Sequence, residues 1–219
     1  MGEHETPIAT VDVALFTLGE GNLCVMLARR PDNAKVFPGV FALPGGYVHV
    51  TEDDDTGACA RRVLRDKAGL SAPYLEQLYT FSGKFRDPRA WSLSVAYYAV
   101  VPATELTGKS LCLAPVDDLP ALPFDHNQIV TAAVRRLRGK AAYSSLPTFL
   151  LPEKFTFDEL HSVYQQVIGV ELNKVSFRRK IENQGIVVPI AGEKQYGAHR
   201  PAQLYRVAED ALKEFDQTL

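Results

Sequence analysis

No apolar run in this chain approaches the ~18 residues that a membrane-crossing helix needs. The first residues, Met1-Gly2-Glu3-His4-Glu5, carry acids where a secretory signal carries bases, so a cytoplasmic location is expected. Cysteine is scarce: Cys24, Cys59 and Cys112 are odd in number, widely spaced and set among apolar neighbours. That pattern argues against a disulfide framework and against a four-cysteine zinc site, and reads as buried free thiols. Charge of one sign is also lacking, with a formal net charge of only −2. A balanced sum can still hide a local basic patch, so the distribution matters more. Extended disorder is excluded by 46% hydrophobic against 23% charged residues.

The 219 residues give room for one domain of roughly 150 residues and a smaller one. From Ile8 to about Pro120, β-prone runs recur between turn residues: Val11 to Leu18, Leu23 to Ala28, Leu75 to Ser82, Leu93 to Val101 and Leu111 to Pro115. One helix interrupts them, with Thr51 and Asp54 spaced as a capping box, helix formers from Ala58 to Ala68, and Gly69 as the stop. A second helix is expected from about Asp125 to Lys140, which makes this a mixed α/β layer domain. Two prolines and two serines in 144–152 then read as a linker. Beyond it, Thr156-Phe157-Asp158-Glu159 is a capping box. It opens a helix with apolar Leu160, Val163, Tyr164, Val167 and Ile168 at helical spacing, closed by Gly169. Asn173 can cap another helix ending at Gly185, and the runs Ile186 to Ile190 and Gln203 to Val207 make a β-ribbon. Helix, turn, helix, ribbon is the element order of a winged helix-turn-helix, so the organisation expected is 1–143, linker 144–152 and 153–219.

Two constellations carry chemistry. The first runs from Leu43-Pro44-Gly45-Gly46-Tyr47-Val48 through Thr51-Glu52 to Arg62 and Gly69-Leu70. It resembles the signature of Nudix hydrolases, in which a Glu follows the helical Arg directly and a Glu-Glu pair comes three residues later. Here those positions read Val63, Asp66 and Lys67, whose charges sum to zero on one helix face. In active members, as the resemblance implies, those glutamates hold Mg²⁺ or Mn²⁺ against a pyrophosphate. A Lys ammonium ~4 Å from a cation costs about 4 kcal/mol at an effective dielectric near 20, so hydrolysis is expected to be lost. Arg62 lies ten residues after Glu52 where the family has eight; Asp54 would restore that spacing. The acids Glu52-Asp53-Asp54-Asp55 read as first-turn partners of the helix dipole, with Glu52 and Asp66 the residual metal candidates.

The second constellation is basic. Between Asn173 and Val207, Lys174, Arg178, Arg179, Lys180, Lys194, Arg200 and Arg206 face only Glu182 and Glu193, a net of +5 that leaves −7 for the rest. In a helix-turn-helix this asymmetry is the footprint expected for duplex DNA. Lys174, Arg178 and Ile181 follow an i, i+4, i+7 spacing, while Val175, Phe177 and Ile181 are expected to supply packing. Arg178 is the candidate guanine reader, at about 1–3 kcal/mol. Gly192 and Gly197 permit a tight wing from which Lys194, His199 and Arg200 reach phosphates or a minor groove.

Together the halves resemble the NrtR family, Nudix-related transcriptional regulators of NAD metabolism. The resemblance rests on Leu78-Tyr79-Thr80-Phe81, Arg86-Asp87-Pro88-Arg89, Trp91-Ser92, Val95-Ala96-Tyr97-Tyr98, Phe177-Arg178-Arg179-Lys180, His199-Arg200-Pro201-Ala202 and Leu204-Tyr205-Arg206. It implies a Nudix α/β/α sandwich with a mixed sheet plus a C-terminal winged helix-turn-helix. It further implies a homodimer on a palindromic operator in double-stranded DNA, with ADP-ribose or a related NAD-derived effector releasing repression and no metal cofactor required. Arg30, Arg86 and Arg89 suit a diphosphate through bidentate hydrogen bonds, with Arg62 beside them. Gly45 and Gly46 let backbone approach the ligand, and Trp91 or Phe37 can stack on adenine. Ala90 stands where Gly is expected after Arg86-Asp87-Pro88-Arg89, which leaves the effector less defined. The competing readings are a working ADP-ribose pyrophosphohydrolase that uses residual Mg²⁺, and a regulator of this architecture that senses a sugar or another nucleotide.

Overall fold

β-Branched and aromatic residues between turn formers draw the first part of the chain into extended strands. A computed structural model describes residues 6–106, 111–196, 201–209, 211–216 and 218. The strands are β1 (Ile8–Gly19), β2 (Asn22–Arg29), β3 (Phe41–Ala42), β4 (Gly45–Tyr47), β5 (Tyr74–Gly83), β6 (Ser92–Val100) and β7 (Leu111–Pro115), with helices α1 (Thr56–Ala68) and α2 (His126–Ala141). They form a seven-stranded mixed sheet in the order β3-β2-β1-β6-β5, with β4 paired to β1 and β7 to β2. The central pair is parallel, from Ile8 opposite Ser92 to Phe16 opposite Val100, and the other pairings are antiparallel. Parallel neighbours bury both faces, which is why Val11 to Thr17 and Ala96 to Val101 run without the polar alternation of a half-exposed strand.

On one face, Val11, Val13, Leu15 and Met26 pack with Cys59, Ala60, Val63, Leu64 and Ala68 of α1. The α1 cap differs from the expected Thr51 and Asp54 pair. Asp55 is the N-cap, its carboxylate accepting from the Ala58 N–H at 2.6 Å, and no acid lies in the first helical turn. The dipole reading of Glu52 to Asp54 therefore gives way: these residues precede the helix. Gly69 ends it in the left-handed conformation, φ 68°, which a residue without Cβ adopts at little cost.

Contacts divide the chain into two compact units, the first ending at Val134 and the second beginning at Arg135. Stretch 144–152 is not an open linker. Leu146–Leu150 forms a 3₁₀ helix with Leu146, Pro147, Thr148 and Leu150 buried. The Ser145 N–H donates to the Lys213 carbonyl at 2.8 Å, and the Tyr164 hydroxyl to the Ser144 carbonyl at 3.0 Å. The apolar residues between the serines and prolines supply the burial that holds it.

The second unit continues with β8 (Phe155–Thr156), α3 (Phe157–Ile168), α4 (Lys174–Gln184), β9 (Val187–Gln195) and β10 (Ala202–Val207), its sheet ordered β8-β10-β9. The Thr156 and Glu159 side chains cap α3 reciprocally, Asn173 caps α4 by accepting from the Ser176 N–H at 3.0 Å, and Gly169 and Gly185 close the two helices. Leu160, Val163, Tyr164 and Val167 are buried, as are Phe177 and Ile181 of α4. The Phe177 ring meets those of Phe157, His161 and Tyr164 at 5.8, 5.1 and 5.0 Å. Val175, expected to help this packing, is 79% exposed. Two positions along a helix rotate a side chain by ~200°, so Val175 faces away from Phe177. Gly197, His199 and Arg200 lie outside the described residues.

Candidate ligand cavity and nucleic-acid interface

The strand pairing of β1 with β4 sets Asp12 opposite Gly45 and Val11 opposite Gly46. A Cβ at position 45 would sit 2.0 Å from Asp12 Oδ1, so glycine is what allows this approach. Beside it opens a cavity of about 390 Å³. Arg30, Gly45, Gly46, Arg62, Arg86 and Arg89 line it, as do Val63, Asp66 and Lys67 of α1. Phe37 and Trp91 do not. The Phe37 ring lies edge-on to Phe124 at 4.9 Å, and 45%-exposed Trp91 heads β6, where its carbonyl accepts from the Ile8 N–H. The aromatic residues that border the cavity are Tyr47 and Phe124. Tyr47 follows the two glycines directly, a signal the sequence carried; Phe124, in a left-handed turn at φ 58°, gave none.

The arginines differ in what holds them. Arg86 is nearly buried; its Nε and Nη2 donate to the Asp125 carboxylate at 3.0 and 2.9 Å, and Nη2 reaches Asp12 Oδ2 at 3.4 Å. Burial works against this guanidinium's charge, yet Asp125 and Asp12 hold its pKa above the usual value. Asp12 also accepts from the Ser94 hydroxyl at 2.7 Å and lies 3.6 Å from His126 Nε2. His126 Nδ1 accepts from the Leu43 N–H at 3.0 Å, so the neutral ring carries its proton on Nε2, toward Asp12. Burial lowers the His126 pKa and outweighs Asp12. Arg89 donates from Nε to Asp87 at 2.9 Å and bonds the Tyr47 hydroxyl. Burial raises the Asp87 pKa, but Arg89 more than offsets it and keeps the carboxyl below its ordinary value. Arg30 is different. It donates to the carbonyls of Phe37 and Val36 at 3.0 and 2.9 Å and lies 5.1 Å from the centre of the Phe124 ring. Among the described residues no carboxylate is within ion-pair distance of it. Desolvation and then the neighbouring Arg89 lower its pKa, outweighing the more distant acids Asp12 and Asp87.

The α1 side supplies few metal donors. Arg62 makes a two-pronged contact with Asp53, at 2.8 and 2.7 Å, and also donates to the Tyr47 carbonyl at 2.9 Å. Asp53 is thus the acid hydrogen-bonded to the box arginine, ahead of Glu52 at longer range, and Arg62 holds the Asp53 carboxyl far below the usual range. Glu52 pairs with His49 Nδ1 at 2.9 Å and lies 3.9 Å from Arg62. Asp66 sits 3.5 Å from Arg65 and 3.9 Å from Arg62. Val63 is buried in the core. No cluster of three or more His, Cys, Asp or Glu able to hold a metal occurs among the described residues.

In the second unit, the bases of α4 are unequally engaged. Arg178 donates to Glu182 and to the Tyr205 hydroxyl, both at 2.9 Å, and its guanidinium lies 4.6 Å from the centre of the Phe157 ring. Lys174 pairs with Asp158 at 2.7 Å and Lys180 donates to the Thr218 carbonyl at 2.7 Å. Arg179 is exposed and makes no hydrogen bond or ion pair among the described residues; Lys194 is exposed on β9.

Comparisons with known proteins match both halves. The model of the NUDIX domain covers residues 6–137, and that of the NrtR DNA-binding winged helix domain covers 147–207. The ADPR responsive transcriptional repressor NtrR of Acinetobacter baylyi is 35% identical over 221 residues, 98% of this chain and 86% of that protein. The chain belongs to the NrtR family. Shewanella oneidensis NrtR complexed with a 27mer DNA superposes with a TM-score of 0.86 at 33% identity, covering 96% of this chain and 99% of that one. The NUDIX domain of the same NrtR, complexed with ADP ribose, superposes with a TM-score of 0.55 at 32% identity, covering 61% and 90%. The NrtR fold, a mixed-sheet Nudix unit followed by a winged helix, is therefore the fold of this chain.

Proposed function

We propose that this protein is a DNA-binding transcriptional repressor whose Nudix-fold unit senses ADP-ribose, and that it regulates genes of NAD biosynthesis or salvage. The observation that carries the reading is one cavity with two properties: an arginine without a carboxylate in ion-pair distance, Arg30, and a catalytic segment whose three glutamate positions keep a single carboxylate, Asp66. An ADP-ribose diphosphate supplies the counter-charge that Arg30 lacks, with Arg89 beside it across the Phe124 ring. Tyr47 and Phe124, which border the cavity where Phe37 and Trp91 do not, are the candidate platforms for an adenine. The relatives support this assignment: the A. baylyi protein is a repressor responsive to ADPR, and the S. oneidensis protein binds DNA and, through its NUDIX domain, ADP ribose.

Hydrolysis needs an activated water beside a metal, and the donors here fit Mg²⁺ poorly. Asp66 lies beside Arg62 and Arg65, Glu52 is bonded to His49, and Val63 offers no oxygen. The cavity therefore grips a diphosphate without cleaving it. A palindromic operator and a homodimer, placing two α4 helices about 34–36 Å apart, follow from how helix-turn-helix proteins read duplex DNA. No helix among the described residues is long and apolar enough to cross a membrane, in keeping with a protein that meets DNA in the cytoplasm.

Two measurements test the reading. A gel shift on the DNA upstream of the protein's own gene should show a complex that ADP-ribose dissolves. Incubation with ADP-ribose and Mg²⁺ or Mn²⁺ should release no AMP. Multiple turnover that disappears in Asp66→Ala would instead establish a working pyrophosphohydrolase.

A further inference from the structure

Resting on the DNA-binding reading above, the geometry points to Val175 and Arg179 as the residues of α4 that read base edges, with Arg178 as the anchor that fixes the helix. The buried side of α4 is set by Phe177 and Ile181. At ~100° per residue the direction opposite their mean falls on Arg179, with Val175 about 40° away, while Arg178 lies at the flank. The contacts agree. Arg178 is folded back onto its own unit, bonded to Tyr205 of β10 and to Glu182, its guanidinium over the Phe157 ring of α3. With Nε and Nη2 tied to Glu182 and Tyr205, this guanidinium is held against its own unit, whereas a guanine reader must extend into the groove. Arg179 keeps its whole fork of donors, and Val175 is 79% exposed one turn before it. An isolated exposed valine is ordinary on a protein surface. What sets this one apart is its place: the N-terminal half of the second helix of a helix-turn-helix, the part that enters the major groove.

The chemistry of the pair defines what it recognises. An arginine fork matches the two acceptors that guanine presents in the major groove, and a branched apolar side chain matches the thymine methyl. Residues four apart on a helix are about 6 Å apart, and stacked bases rise about 3.4 Å, so the two contacts fall about two base steps from each other. The expected half-site therefore holds a guanine and a thymine methyl at that spacing.

The test is selection from a pool of randomised duplex DNA by the full-length wild type and by Arg179→Ala, Val175→Ala and Arg178→Ala. The wild type should enrich a motif containing a guanine. Arg179→Ala should lose the preference at that guanine and bind the wild-type duplex about ten- to hundredfold more weakly, with scrambled duplex little affected. Replacing one thymine of the motif by deoxyuridine should weaken the wild type and leave Val175→Ala unchanged. Arg178→Ala should enrich the same motif, with a lower melting temperature and weaker binding to all duplexes alike. Because Val175 is mostly exposed and Arg179 makes no hydrogen bond or ion pair among the described residues, unchanged melting of their variants checks that each is folded. Retention of the full motif by both variants overturns the assignment whatever Arg178→Ala does, as does loss of the guanine preference in Arg178→Ala alone. A wild type that enriches no motif overturns the DNA-binding reading, and this assignment with it.

Discussion

Arg86 sits between Asp125 and Asp12 with almost no access to water, and removing a partner from such a group leaves charge where solvation is poor. Arg86→Ala should cost about 3–5 kcal/mol of stability, read from urea denaturation, because two largely buried carboxylates lose their counter-ion. A loss under 1 kcal/mol would mean that water reaches the pair. Beneath it, His126 gives a pH signature. Its folded pKa is lowered by burial, so the unfolded chain binds the extra proton first. Its contribution to stability is complete above the unfolded value near 6.5 and is lost as pH falls from there toward the folded pKa. The unfolding free energy should therefore decline from about pH 6.5 downward, and His126→Asn should flatten that part of the profile. The motif Arg86-Asp87-Pro88-Arg89 marked both arginines in the sequence. Which acid each would meet was not legible, because Asp12 and Asp125 are brought to Arg86 only by the sheet and by the start of α2.

At the scale of elements, local chemistry was readable and register was not. Caps and stops act within four residues, so Thr156 with Glu159, Asn173, Gly169 and Gly185 marked the ends of α3 and α4 correctly. Thr156→Ala should accordingly cost about 1 kcal/mol, measured by thermal or urea unfolding, since the Glu159 N–H loses its acceptor. A neutral substitution would show that β8 and the packing of Phe157 fix the helix start unaided. Cap competition defeated the same logic at α1, where Thr51 and three consecutive aspartates each qualify by type. Only the fold selects Asp55 as the cap and Asp53 as the partner of Arg62. Stretch 144–152 shows the converse error. Serine and proline suggested a linker, whereas its leucines are buried and Pro147 opens a 3₁₀ turn that tolerates a missing N–H. Val175 was assigned to the core from hydrophobicity alone, and the phase of α4 places it outside.

For the molecule as a whole, sensing requires that ADP-ribose bind two arrangements of the chain unequally; a ligand indifferent to both shifts nothing however tightly it binds. Coupling of this kind is reciprocal, so if ADP-ribose weakens operator binding by some factor, operator DNA must weaken ADP-ribose binding by the same factor. Regulators commonly show coupling of about 1–3 kcal/mol, or roughly 5- to 150-fold. Titrating ADP-ribose by calorimetry, with and without saturating operator duplex, gives one side of the cycle. Operator affinity with and without saturating ADP-ribose gives the other. The two factors should agree, and no change on either side would remove the sensor role while leaving DNA binding intact. Arg30→Ala separates the sites: its hydrogen bonds reach only backbone carbonyls, so the fold should lose little. ADP-ribose affinity should fall by about 1.5–3 kcal/mol if Arg30 meets the diphosphate, as expected for a charged hydrogen bond. That variant should still bind the operator, and should need correspondingly more ADP-ribose to release it. Release at wild-type concentrations would place the diphosphate away from Arg30 and shift the site toward Arg89 and Tyr47.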